Sequence, residues 1–385
     1  MNRFASRRAR AVPESVFLLM DQAKARRRAA GEEVIDLSIG SSDLPPPREA
    51  MEELARAALE PETYGYCLKS CTRPFLEAAT AWFARRFGRR FDPDTEALTL
   101  IGTQEGLGHL LLAVLDPGDL LLMPEVAYPS YWGAAAVAGA EVWPVPLDAD
   151  YRPDLEAVPP EVADRARALL LNFPNNPTAA VADRAYFQRA LAFAEEHDLL
   201  LVHDNPYVDF LFEGEALPLL AVEGARERAI ELFSFSKSYH LGGVRLGFAL
   251  GHPDAVAALE RVKAPIDFNQ YAGILRMGIR ALNLPLERIR RDVAVFKKRR
   301  DALLAALRRY GVALPAPKAS LYLWMPLPRG LDDVAFALRL VEQAGVALAP
   351  GQGFGPGGKG YVRFALVQPP EVLEEAARRV AAFLD

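Results

Sequence analysis

The chain has 385 residues, 51% of them apolar and 25% charged, and a formal charge of -5, so it is long enough for two or more compact units with their own cores. That mild balance gives no global basic field for nucleic acid, and neither a zinc-like Cys/His spacing nor a recognition module is present. No apolar stretch nears the roughly 20 residues that span a bilayer, and the arginine-rich start (Arg3, Arg7, Arg8, Arg10) lacks an apolar leader segment; we expect a cytoplasmic protein with a solvated N-terminal arm, no membrane partner and no nucleic-acid partner.

Along the chain, Cys67 and Cys71 come first, in a polar, turn-rich segment. Two cysteines four apart fit neither a disulfide scaffold nor a metal site, and free thiols are the expectation. From about residue 96 to 250 a pattern recurs of apolar run, turn and helical-period stretch. The runs are Ala97 to Ile101, Leu120 to Met123, Glu141 to Val145, Ala168 to Leu171, Leu199 to Val202, Ala229 to Phe233 and Gly247 to Leu250. Continuous Leu/Val/Ile runs indicate strands buried on both faces, hence an α/β core with a mostly parallel sheet. After about residue 285 comes a long charged helix, Leu286 to Arg309, then shorter runs at Leu321 to Met325, Val346 to Ala349 and Tyr361 to Leu366. These read as a smaller α+β domain. The division expected is an arm and part of the small domain over 1–45, a large domain over 46–285 and a small domain over 286–385. Gly351 to Gly360 is rich in glycine but lacks the context of a P-loop, and reads as a flexible connection.

In such sheets ligands bind beyond the carboxyl ends of the strands, and the turns there carry polar residues. Ser234-Phe235-Ser236-Lys237 follows one run and lies eight residues before Arg245, which places a lysine at a strand end among small residues and near a second cation, where a Schiff-base amine is best built. If the partner is pyridoxal phosphate, its other needs have candidates as well. Asp204 suits the ring nitrogen, and Asn176 and Tyr207 suit the phenolic oxygen. Thr103 and Gln104 open a helical stretch whose free N–H groups suit a phosphate, with Ser234, Ser236 and Arg245 to complete the cradle. Tyr128 offers a ring face. Arg363, in an otherwise apolar strand, requires an anion such as a substrate carboxylate. The five histidines show no ligand spacing; all read as structural, and no metal is expected.

The ordered set Thr103-Gln104, Tyr128, Asn176-Pro177, Asp204-x-x-Tyr207, Ser234-x-Ser236-Lys237, Arg245 and Arg363 resembles the class I/II aminotransferases of the fold type I pyridoxal-phosphate enzymes. The resemblance covers essentially the whole chain. It implies Lys237 as the cofactor-bearing lysine and proton carrier, with the other residues in the roles just given. It also implies that Tyr64 reaches the neighbouring subunit's phosphate, that Gly40 approaches the substrate with its backbone, and that the protein is a homodimer with shared active sites.

Leu100-Ile101-Gly102-Thr103-Gln104-Glu105-Gly106, Asp204-Asn205-Pro206-Tyr207 and Phe354-Gly355-Pro356-Gly357-Gly358 are similar to the branch that contains LL-diaminopimelate and N-succinyl-diaminopimelate aminotransferases, together with aspartate- and alanine-type enzymes. Three positions depart from the family pattern: Ala179 in place of the usual glycine, Ser41-Ser42 in place of Glu-Pro, and His240 in place of a small or amide residue. The expected reaction moves an amino group between an amino acid and a 2-oxo acid by a ping-pong route, with Lys263 and Arg73 as candidates for a distal carboxylate. The rivals are a β-lyase acting on C–S bonds on the same fold, and a cofactor-binding regulator, for which no helix-turn-helix precedes Gly40.

Overall fold

The computed structural model describes residues 3–384. A seven-stranded sheet is built from β1 (Ala97–Leu100), β2 (Leu120–Pro124), β3 (Glu141–Val145), β4 (Ala166–Leu171), β5 (Leu200–Asn205), β6 (Ala229–Ser234) and β7 (Gly247–Gly251). Their order across the sheet is β1-β7-β6-β5-β4-β2-β3. All neighbours are parallel except β7, which runs antiparallel to both β1 and β6. Except in the edge strand β3, where Glu141 and Trp143 are exposed, the apolar runs are continuous because both faces are covered. Leu169 and Leu171 of β4 enter one hydrophobic cluster while Ala168 and Leu170 enter another, the two-residue period of a strand sorting them to opposite sides.

A second, three-stranded antiparallel sheet joins β9 (Ala349–Pro350), β10 (Tyr361–Ala365) and β8 (Tyr322–Pro326), in that order. The N-terminal segment reaches this end of the molecule, where Ile35–Asp36 pairs in parallel with Val346–Ala347. The run expected over Val346 to Ala349 is therefore divided between two sheets. Among the described residues no helix is long and apolar enough to cross a membrane.

Five helices matter to the site: α1 (Val16–Ala29), α2 (Lys69–Phe87), α3 (Thr103–Val114), α4 (Pro129–Ala138) and α5 (Leu286–Arg309). Two expectations are corrected here. Cys67 and Cys71 are joined in a disulfide, their Cα atoms 5.2 Å apart, because the chain turns into α2 between them and brings the two side chains together. The glycine-rich stretch is tightly wound rather than flexible: Gly351–Phe354 and Pro356–Gly358 form two short turns of 3-10 helix, and a Cβ on Gly351 would lie 1.9 Å from the Gly358 carbonyl oxygen.

Candidate active site

Strand β6 ends at Ser234, whose Oγ accepts the Ser236 N–H at 3.1 Å and caps the single helical turn Phe235–Ser238 that carries Lys237. The amine of Lys237 donates to the Gly40 carbonyl at 2.6 Å and lies 5.8 Å from the centre of the Tyr207 ring. One strand over, β5 runs on through Asp204 and Asn205, so Asp204 sits within the strand rather than in the turn after it. Lys237, Asp204, Asn176, Tyr207, Tyr128, Thr103, Gln104, Ser234, Ser236, Arg245, Gly40 and Arg363 all line one cavity of about 630 Å³. Tyr64 does not. It is exposed, its ring lies tilted to that of Tyr271 with 5.1 Å between centres, and its hydroxyl donates to the Ala58 carbonyl.

One side of the cavity is the start of α3. Its N-cap is Gly102 at φ 79, so Thr103 is the first helical residue and not the cap, and no capping side chain closes the end. Arg245, held at φ 59 by the returning loop, lays its guanidinium against that turn: a Cβ on Gly102 would lie 2.6 Å from Arg245 Nη2. Glu105 reaches back to the Ile101 N–H at 2.7 Å and steadies the turn.

The opposite end holds two unsatisfied buried groups. Asp204 Oδ2 accepts from Tyr131 Oη at 2.6 Å, yet among the described residues Oδ1 has no hydrogen-bond partner. Burial pushes this carboxyl up to about 6 despite the opposing pull of Tyr131, His203 and Thr103. Arg363 donates to Asn176 Oδ1 at 2.7 Å and to the Ser38 carbonyl at 2.6 Å, with its Nε unpaired. Its guanidinium lies between Tyr322 and Phe354, at 4.2 and 4.8 Å from the ring centres. Among the described residues no carboxylate lies within ion-pair range of it. Since Asn176 Oδ1 faces Arg363, its Nδ2 is the donor left for a ligand.

The sequence reading passed over Tyr322 and Tyr131. Tyr322 Oη meets Tyr207 Oη at 3.0 Å. Burial, the largest single influence, would raise it, but the charges of Lys237 and Arg363 together with the Tyr207 hydrogen bond hold it below the usual phenol range. Nothing in the pattern around Tyr322 distinguishes it from a core residue, whereas Tyr131 stands three after Tyr128 in a helix start and so shared its signal. His240, read as structural, also lines the cavity. Lys263 and Arg73 do not: Lys263 is tied to Glu105 and Asp267 at 3.1 and 2.6 Å, and Arg73 to Glu77 and Asp94 at 2.9 and 3.2 Å. Neither is placed to contact a substrate in this cavity.

The model of the family "Aminotransferase class I and II" matches residues 32–380. The chain belongs to the class I and II aminotransferases. This aminotransferase is 41% identical over 381 residues to an LL-diaminopimelate aminotransferase of Dehalococcoides mccartyi, with 98% of each chain covered. A solved structure described as a probable N-succinyldiaminopimelate aminotransferase from Thermus thermophilus is 59% identical, with a TM-score of 0.94 over 96% of this chain and all of that one. A single mutant of Thermus thermophilus aspartate aminotransferase follows the same fold at 29% identity, with a TM-score of 0.92 over 99% of this chain and all of that one. The enzyme therefore transfers amino groups on a fold type I scaffold.

Proposed function

We propose that the enzyme works with pyridoxal phosphate held by Lys237, and that its amino donor is an amino acid of diaminopimelate type, with a 2-oxo acid such as 2-oxoglutarate as acceptor. The observation that carries this reading is the unpartnered Oδ1 of Asp204, a buried carboxylate oxygen in the same cavity as a strand-end lysine and a helix start with no capping side chain. A protonated ring nitrogen would satisfy Oδ1, and a carboxylate would give Arg363 its missing anion.

When bound, pyridoxal phosphate supplies an electron-accepting ring that stabilises negative charge released at the substrate's Cα. The chain's own residues do the rest. Asp204, kept charged by a cationic partner, holds the ring nitrogen protonated. Asn176 Nδ2 and the Tyr207 hydroxyl donate to the phenolic oxygen. The N–H groups at Thr103 and Gln104, the hydroxyls of Ser234 and Ser236, and Arg245 bind the phosphate, while Tyr128 covers the ring face. Arg363 would fix the substrate carboxylate so that Cα comes within reach of the Lys237 amine, which, once displaced from the cofactor by the donor amine, would take up the Cα proton. On this reading the unit over 46–285 supplies the cofactor site and the unit over 286–385, with the arm over 1–45, supplies Arg363 and Gly40. Tyr64, exposed and outside its own cavity, would serve the neighbouring subunit of a homodimer.

The diaminopimelate-type donor is supported by the names of the relatives. The test is rapid mixing of the holoenzyme with diaminopimelate, its N-succinyl form, aspartate, alanine and glutamate, following cofactor absorbance. Conversion by a diaminopimelate-type donor, reversed by 2-oxoglutarate, is expected. Failure to bind the cofactor, or pyruvate release from cysteine conjugates without an acceptor, would overturn the reading, the latter in favour of the lyase.

A further inference from the structure

The imidazole of His240 is 1% exposed although the residue lines the cavity, and its backbone sits at φ 56, a region that a non-glycine residue enters only when its surroundings hold it there. Three parts of the chain meet on this ring. His240 itself lies three residues after Lys237, Ser42 lies two after Gly40, and Asp292 projects from α5. Ser42 Oγ is 2.8 Å from Nδ1 and Asp292 Oδ2 is 3.3 Å from Nε2.

The directions of these hydrogen bonds follow from the donors. The Asp292 carboxylate, itself paired with Arg288, can only accept, so the ring proton resides on Nε2 and faces it. In the neutral ring Nδ1 then accepts, and the Ser42 hydroxyl donates to it while the Ser42 oxygen accepts the Leu44 N–H at 3.2 Å. Burial, the leading influence on His240, favours this neutral form over the pull of Asp292. A second attachment from the same helix reinforces the first: Arg299 grips both oxygens of Asp43 at 2.6 and 2.7 Å.

We propose that His240 is a positioning residue, a latch between the loop after Lys237 and helix α5 that sets the Gly40–Leu44 segment over the lysine and thereby shapes the space a substrate enters. Gly40, two residues from the latched serine, is the residue whose carbonyl holds the Lys237 amine. The consequence for catalysis rests on the function proposed above, whereas the order of the segment does not.

The experiment pairs hydrogen exchange of the full-length protein with steady-state kinetics of the holoenzyme for His240→Ala, Ser42→Ala and His240→Asn. His240→Ala and Ser42→Ala should each speed exchange at Leu44 by about tenfold, as loss of one hydrogen bond predicts, and raise KM for the amino donor several-fold more than they lower kcat. His240→Asn keeps an acceptor near the Nδ1 position and tolerates the left-handed backbone, so it should restore both values toward the parent's. Unchanged exchange in the alanine variants overturns the latch. Faster exchange with KM unmoved overturns its role in positioning. Ser42→Ala also removes the acceptor of the Leu44 N–H and so sets the full size of the effect; should His240→Ala fail to fold, His240→Gly, at ease at this φ, takes its place. If the parent enzyme transaminates none of the donors, the proposed function falls, and exchange alone judges the latch.

Discussion

Tyr131 satisfies one oxygen of Asp204 and leaves the other open: its hydroxyl donates to Oδ2 at 2.6 Å, while Oδ1 has no hydrogen-bond partner among the described residues. Burial raises this carboxyl from 3.8 to about 6. Between those two values the folded, ligand-free protein keeps a proton that the unfolded chain has lost. Stability should therefore fall as pH rises through that window, by about 3 kcal/mol in all. Asp204→Asn removes the titration. Urea unfolding of ligand-free protein should find the variant more stable than its parent near neutrality, with the gap closing toward pH 4; a gap independent of pH would refute the assignment.

Arg363 holds a buried charge without an anion, a poor arrangement for stability and a good one for binding a carboxylate. Arg363→Lys loses the planar fork and should lower kcat/KM about 10²- to 10³-fold, or roughly 3–4 kcal/mol. Arg363→Met should abolish activity and melt at the parent's temperature or above. A large drop in melting temperature would instead mark the guanidinium as a structural brace.

A methyl group at Gly40 would lie 1.9 Å from Tyr322 Oη and 2.5 Å from Cζ. Gly40→Ala should displace the carbonyl that holds Lys237, lower activity and cost about 1–3 kcal/mol of stability. Adding Tyr322→Phe removes the hydroxyl but leaves Cζ in place, so the double variant should recover activity only in part. Full recovery in a kinetic assay would count against this account.

The Cys67–Cys71 link closes a short loop at the start of α2. Cys71→Ser should lower unfolding free energy by about 2 kcal/mol, the chain-entropy value for so short a loop. Thiol titration of the native, oxidised protein should find no reactive cysteine until a reductant is added.

Ala179 stands at φ 62 where the family pattern has glycine. Ala179→Gly should raise stability by about 0.5–1 kcal/mol by relieving the left-handed strain, measured by thermal unfolding, with kinetics unaltered.

Much of this site was legible in the sequence because its parts lie at strand ends. The runs before Lys237 and Asp204 announced buried strands, and the polar residues just beyond them converge on the same cavity. Helix α5 was bounded correctly at Leu286 and Arg309 by its charge and period. What escaped was tertiary. Tyr322 reads as one more core aromatic until Tyr207 and Arg363 are brought to it from other elements. His240 has no ligand spacing because its partners, Ser42 and Asp292, are 198 and 52 residues away. The disulfide was missed because spacing alone does not reveal a helix beginning between two cysteines.

The back-to-back glycines at 351 and 358 have a further consequence. A methyl on either would fall about 2 Å from the other's backbone, so the wall that seats Phe354 beneath the guanidinium admits almost no drift. Substitutions that change the preferred donor are therefore expected at the other rim, at Ser41, Ser42 and His240, rather than in this wall.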